Sequence, residues 1–193
     1  MHQHSTVLRA AKPTLEEGRV FARYLDTAAE GFFRFMLGRR AVDILATAFL
    51  EPDHDLSFQN VTFAERHRRS SGRPLEEAAG KWNLQMMVVT TLFAPLLRII
   101  DTIDDGDFYL QAIAVDKELR GEGVGSTLMD FVEESAVACG SGRLALDVSA
   151  KNEGARQLYE RRGMAVTSQW PERLPIPGLK LLRMTKELVI DTL

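Results

Sequence analysis

Gly121, Gly123 and Gly125 put three glycines into five positions, behind the apolar run Phe108–Val115 and ahead of a helical pattern. An apolar strand, a glycine turn and a helix start form an anion-binding device. Glycines let backbone N–H groups converge, and the helix N-terminus adds its unpaired donors and positive dipole end. A diphosphate is the natural guest, and a turn that merely connects two packed elements is the bland alternative. Gly121-x-Gly123-x-x-Ser126 nearly matches a dinucleotide fingerprint, and Asp147 lies about 20 residues on, where a ribose-binding acid would stand. Three features oppose that reading. Ser126 replaces the third glycine, Asp116–Arg120 separates the turn from its strand, and little chain follows to complete a doubly wound sheet.

Other reactive side chains are sparse. His2 and His4 form an i, i+2 pair with no third ligand nearby, so no metal is expected. His54 and His67 fall in loops and are poor catalytic candidates. Cys139 is the single cysteine, which excludes an intrachain disulfide and fits a reducing, cytoplasmic setting. The net charge of -3 argues against nucleic-acid binding through bulk charge. The apolar runs Met86–Val89 and Leu96–Ile100 are too short to span a bilayer, and no secretory signal precedes them, so no membrane partner is expected. At 193 residues, 45% hydrophobic and 26% charged, the chain suits one soluble domain.

The elements that must position these residues follow from periodicity. Thr6–Arg9 reads as a short strand. Thr14-Leu15-Glu16-Glu17 is a capping-box pattern ahead of Val20, Phe21, Tyr24 and Leu25 at helical spacing. A second helical stretch is predicted from Gly31 to Leu50, then a strand over Asn60–Glu65. Arg66–Pro74 reads as a solvated basic loop, Leu75–Gly80 as helix, Trp82–Thr91 as strand or helix, and Thr91–Ile103 as helix. Beyond the strand Phe108–Val115, a helix carries Val124, Leu128, Phe131, Val132, Ser135 and Cys139 on one face. Leu144–Val148 is a strand. Asn152 caps a short helix ending at Gly163. Ala165–Gln169 and Leu179–Thr185 are strands flanking a loop with Pro171, Pro175 and Pro177.

The run Ala112-Ile113-Ala114-Val115-Asp116-Lys117-Glu118-Leu119-Arg120-Gly121-Glu122-Gly123-Val124-Gly125 resembles the acetyl-CoA-binding signature of the GNAT superfamily of N-acetyltransferases. That signature is Arg/Gln-x-x-Gly-x-Gly/Ala after a strand, here Arg120, Gly123 and Gly125. Asn152-x-x-Ala155-x-x-Leu158-Tyr159-x-x-x-Gly163-Met164 resembles the second signature of the same family. The resemblance implies an α/β fold with a mixed, mostly antiparallel sheet flanked by helices and splayed central strands. It implies one acyl-CoA N-acyltransferase domain over residues 1–193, with 1–107 as its acceptor-side half, 108–164 as its CoA-binding core and 165–193 as C-terminal strands.

Roles are implied with it. Backbone N–H groups of Arg120, Gly121, Glu122, Gly123, Val124, Gly125 and Ser126 would hold the CoA pyrophosphate. Ile113, Ala114 and Val115 would pair with the pantetheine arm, and an N–H at Ala114 or Val115 would polarise the acetyl carbonyl. Asn152 stands where the family often binds the CoA arm, or is simply a helix cap. Tyr159 stands where a phenol often protonates the leaving sulfur. Asp147, after Leu146, is the first candidate for the base, with Glu30 and Gln111 weaker. Glu30, Gln111 and Trp170 would border the acceptor. The cosubstrate implied is acetyl-CoA with no metal, the acceptor a small-molecule or peptide amine, and a homodimer is left open.

One departure stands out. The family has a hairpin whose second arm reads Val-x-Gly-x-x-x-Gly, whereas Val61–Glu65 runs directly into Arg66-His67-Arg68-Arg69. Either Trp82–Thr91 supplies the third strand, or the sheet is shorter, or part of the natural chain is missing. The competing function from another class is an acyl-CoA-binding or sensing module without turnover.

Overall fold

The computed structural model describes residues 6–66, 103–104, 106–170 and 180–190. The readings for 67–102, the loop with Pro171, Pro175 and Pro177, and His2, His4 and His67 lie outside the described residues. The chain divides into two compact units, Met1–His67 with Leu110–Ser135, and Arg68–Tyr109 with Ala136–Leu193.

In the first unit, β1 (Thr6–Ala10) pairs antiparallel with β2 (Thr62–Arg66), with Leu8 opposite Ala64. Helix α1 (Leu15–Ala28) begins at Thr14, whose hydroxyl accepts the Glu17 N–H at 3.3 Å. Only half of the expected capping box forms. The Glu17 carboxylate turns instead to the Lys12 N–H at 2.6 Å and to Arg9 at 3.1 Å, because β1 brings a guanidinium within reach.

The helix predicted over Gly31–Leu50 is broken. Helix α2 (Phe32–Leu37) gives way to a 3-10 turn at Gly38–Arg40 and then to α3 (Ala41–Leu50). Gly38, at φ 65° and ψ -148°, departs from helical geometry, so continuous apolar spacing masked a change of direction. Ala22, Leu25 and Leu45 are the buried centre between α1 and α3, with Phe21, Phe33, Leu37, Val42 and Leu56 packed around them. Gly18 lets the helices approach closely: a Cβ there would lie 2.6 Å from the Ala46 carbonyl oxygen. The Phe21 and Phe49 rings meet at 5.2 Å between centroids.

Helix α4 (Val124–Ala138) follows the glycine turn. Its buried line is Val124, Met129, Val132 and Ala136, while Phe131 and Cys139 are exposed. The expected stripe was therefore rotated, since apolar type alone placed Phe131 and Cys139 on it.

The second unit holds a four-stranded sheet in the order β3-β4-β6-β5, formed by β3 (Asp107–Leu110), β4 (Arg143–Ser149), β5 (Ala165–Trp170) and β6 (Leu181–Glu187). Strand β6 is antiparallel to both β4 and β5, and the β5 register slips between Val166 and Ser168. Side chains alternate across a strand, so Leu144, Leu146 and Val148 share one face of β4, all buried, and Arg143, Ala145 and Asp147 share the other. Helix α5 (Glu153–Arg161) is capped by Asn152 and ends before Gly163, at φ 81°.

The strand expected over Phe108–Val115 is paired only as far as Leu110, and residues 111–116 leave the ladder. Ile113, Ala114 and Val115 are all half-buried there, and apolar alternation in the sequence does not distinguish such a segment from a paired strand. This is the α/β arrangement expected of GNAT proteins.

Candidate active site

The glycine turn lies in the first unit and is built by its own backbone. The Leu119 N–H donates to the Asp116 carbonyl at 2.9 Å, Arg120 to Lys117 at 3.3 Å and Glu122 to Leu119 at 3.4 Å. The Arg120 side chain folds back, its Nε donating to the Val115 carbonyl at 3.2 Å. Gly121 and Gly123 have φ of 78° and 85°, a region that costs an L-residue about 1–2 kcal/mol. A Cβ on either would meet nothing within 4 Å, so the space over the turn is open and conformation, not crowding, demands glycine.

The Thr127 N–H makes the first helical bond, to the Gly123 carbonyl at 3.0 Å. The N–H groups from Gly123 to Ser126 precede it and have no carbonyl a turn earlier to receive them, as at any helix start. Convergent donors, open space and a positive dipole end suit a diphosphate. Tyr24 on α1 donates its hydroxyl to Asp116 Oδ2 at 2.8 Å, joining α1 to the residue that opens the turn.

Asp147, Asn152 and Tyr159 lie in the second unit. Asp147 stands opposite Arg183 in the β4–β6 register. Arg183 Nε reaches Asp147 Oδ1 at 2.8 Å and NH2 reaches Oδ2 at 2.8 Å, with both side chains only 10% exposed. The Tyr109 hydroxyl donates to the same Oδ2 at 2.9 Å, and the guanidinium lies over the Tyr109 ring at 5.5 Å. Hydrogen bonding to Asp147 raises the Arg183 pKa, and burial, followed by the nearby Asp147 charge, raises that of Tyr109. Both carboxylate oxygens of the candidate base are thus committed to an ion pair.

Tyr159 is buried on α5, and burial pushes its phenol up to about 12. Asn152 Oδ1 accepts the Ala155 N–H at 3.2 Å, so the residue is a helix cap.

The remaining candidates are scattered. Glu30 is exposed at φ 54° and, with Gly31, turns the chain from α1 into α2. That turn is held by buried Asp26, which accepts the Arg34 N–H at 2.8 Å and its guanidinium at 2.7 Å. Gln111 is exposed just past β3, and Trp170 is half-buried at the end of β5. His54 is occupied structurally, with Nε2 2.8 Å from the Ala48 carbonyl and Nδ1 accepting the Leu56 N–H at 3.1 Å. Among the described residues no group of His, Cys, Asp and Glu could hold a metal. No described helix is long and apolar enough to cross a membrane.

Sequence reasoning missed Tyr24, Tyr109, Asp116 and Arg183. Arg183 carried a signal: a cation inside Leu181-Leu182-Arg183-Met184 must find a partner if the strand is buried. Tyr24 carried none, since its partner is 92 positions away.

The model of the acetyltransferase (GNAT) family matches residues 39–164. A solved acetyltransferase structure superposes with a TM-score of 0.56 at 23% identity, covering 95% of this chain and all of that one. A protein from Desulfovibrio desulfuricans, described as an acetyltransferase of the GNAT family, superposes with a TM-score of 0.57 at 15% identity, covering 96% of this chain and all of that one. Neither identity reaches the level at which more than the fold is shared. No curated protein matches the sequence at a significant level. The family match spans most of the chain, including the glycine turn and the Asn152–Met164 segment, and the protein belongs to the GNAT family of acetyltransferases.

Proposed function

We propose that this protein transfers an acetyl group from acetyl-CoA to an amine by direct attack. The observation that carries this reading is the turn at Gly121 and Gly123, left-handed, open above, and followed by the N–H groups that open α4, which have no backbone acceptor among the described residues. In this reading the backbone of Arg120–Ser126 holds the pyrophosphate. Ile113, Ala114 and Val115, outside the ladder, offer main-chain groups to the pantetheine arm, and an N–H at Ala114 or Val115 polarises the thioester carbonyl. Asn152, with one amide oxygen spent on its cap, has its NH2 for the same arm.

The amine nitrogen forms the new C–N bond, the C–S bond breaks, the sulfur takes the Tyr159 proton, and the proton that the nitrogen loses on becoming an amide returns through water to the phenolate. Burial keeps that phenol protonated at neutral pH, as a general acid requires. Asp147, the first candidate for the base, is reassigned here to positioning. Its carboxylate holds Arg183 and Tyr109, and a proton arriving on it would disrupt the bidentate pair. The acceptor then reacts as free amine, its proton having gone to water. Glu30, Gln111 and Trp170 border the acceptor, a small molecule or peptide. A reducing, cytoplasmic setting suits the exposed, unpaired Cys139.

A second reading, an acyl-CoA-binding module without turnover, is favoured by the same engagement of Asp147. One experiment separates the readings and tests both. Acetyl-CoA at a hundredfold excess over its dissociation constant should stabilise the protein by about 2.7 kcal/mol, and NAD should not. A panel of amines should then elicit CoA release. Binding without release from any amine would select the sensor, and a shift with NAD but none with acetyl-CoA would overturn both.

A further inference from the structure

We propose that Tyr24 and Asp116 are positioning residues that hold the entry of the glycine turn in its anion-binding shape. The inference rests on the reading that this turn binds the CoA pyrophosphate. Asp116 has two tasks at one position. Its main-chain carbonyl accepts the Leu119 N–H, the first bond of the turn, and its side chain accepts the Tyr24 hydroxyl at 2.8 Å. A chain of short backbone bonds then runs from Asp116 to Glu122, one residue before Gly123. Displacement of Asp116 therefore passes into the N–H groups that must converge on one anion.

Tyr24 is a firm anchor because α1 is itself fixed. Gly18 and Phe21, about two turns and one turn before Tyr24, lie against Ala46 and Phe49 of α3. The Arg120 Nε bond to Val115 closes the turn from the other side, and Tyr24–Asp116 ties its entry to α1. Burial, followed by the hydrogen bond to Asp116 and then its charge, raises the Tyr24 phenol to about 12, so it remains a donor at any physiological pH.

The test is the affinity for CoA, measured by titration calorimetry at 15 °C on the full chain. Tyr24→Phe should weaken CoA by about tenfold, the effect of a hydrogen bond to a charged acceptor worth about 1.5 kcal/mol. Asp116→Ala should do the same, and the double variant Tyr24→Phe/Asp116→Ala should be no weaker than either alone. Asp116→Asn keeps an acceptor oxygen and should stay within about twofold of the parent. Arg143→Ala, which removes the ion-pair partner of the buried Asp107 side chain in the second unit, should lower the melting temperature and leave CoA affinity unchanged. A parent protein that fails to bind CoA refutes the underlying reading. A parent that binds CoA, with Tyr24→Phe binding it equally well, refutes the positioning role alone. Loss of affinity in Arg143→Ala equal to that in Tyr24→Phe would also refute it, since general loosening would then explain both.

Discussion

Asp147 on β4 and Arg183 on β6 stand opposite one another in register and close a bidentate ion pair, with both contacts at 2.8 Å. The same carboxylate receives the Tyr109 hydroxyl from β3, so one side chain ties three neighbouring strands. Removing one partner leaves the other charge in a site only 10% exposed. Asp147→Ala should destabilise the protein by about 3–5 kcal/mol, as breaking a buried pair does, measurable by urea unfolding. Asp147→Asn should lower stability less, because the amide oxygen still accepts one bond from Arg183. The acidic limb of its pH–rate profile should persist. Loss of that limb would return Asp147 to the role of base.

Tyr159→Phe should lower the chemical rate by about 10²–10⁴-fold with acetyl-CoA affinity little changed, since the ring and its packing survive. Single-turnover kinetics would show this directly, and near-parental turnover would make Tyr159 purely structural.

The raised Tyr159 pKa also fixes a pH dependence. The folded value, about 12, lies above the unfolded value of about 10. The stabilising contribution of the neutral, buried phenol is therefore fully present below pH 10 and is lost as pH rises toward 12. Tyr159→Phe should flatten the fall in melting temperature over this window, and kcat should show no alkaline loss from Tyr159 below pH 10.

Gly123→Asp should abolish CoA binding with the fold largely retained. The φ of 85° adds about 1–2 kcal/mol of strain, and the carboxylate opposes the charge of a pyrophosphate. Circular dichroism together with a CoA titration checks both halves. Gly123→Ala should keep weakened binding, because it carries the strain without the charge.

Gly18→Ala should cost about 1–3 kcal/mol, since the new methyl would sit 2.6 Å from the Ala46 carbonyl oxygen, a backbone atom that cannot swing aside. Thermal unfolding measures it, and an unchanged midpoint would mean that the two helices can separate at no cost.

The glycine turn, the cap at Asn152 and the left-handed Gly163 were legible in the sequence, because each is set by backbone conformation within a few residues. Strands β4, β5 and β6 were found within about two residues of their limits, since alternation of buried side chains reports them locally. Apolar spacing failed where two geometries share one pattern. It ran a single helix through Gly38, and it extended β3 past Leu110. Tertiary structure alone decided the partnerships of side chains. The register of β4 with β6 put Arg183 against Asp147, a pairing of residues 36 positions apart. The packing of α1 on α3 carried Tyr24 to Asp116. Such pairs depend on where distant segments meet, and short-range periodicity holds no record of that.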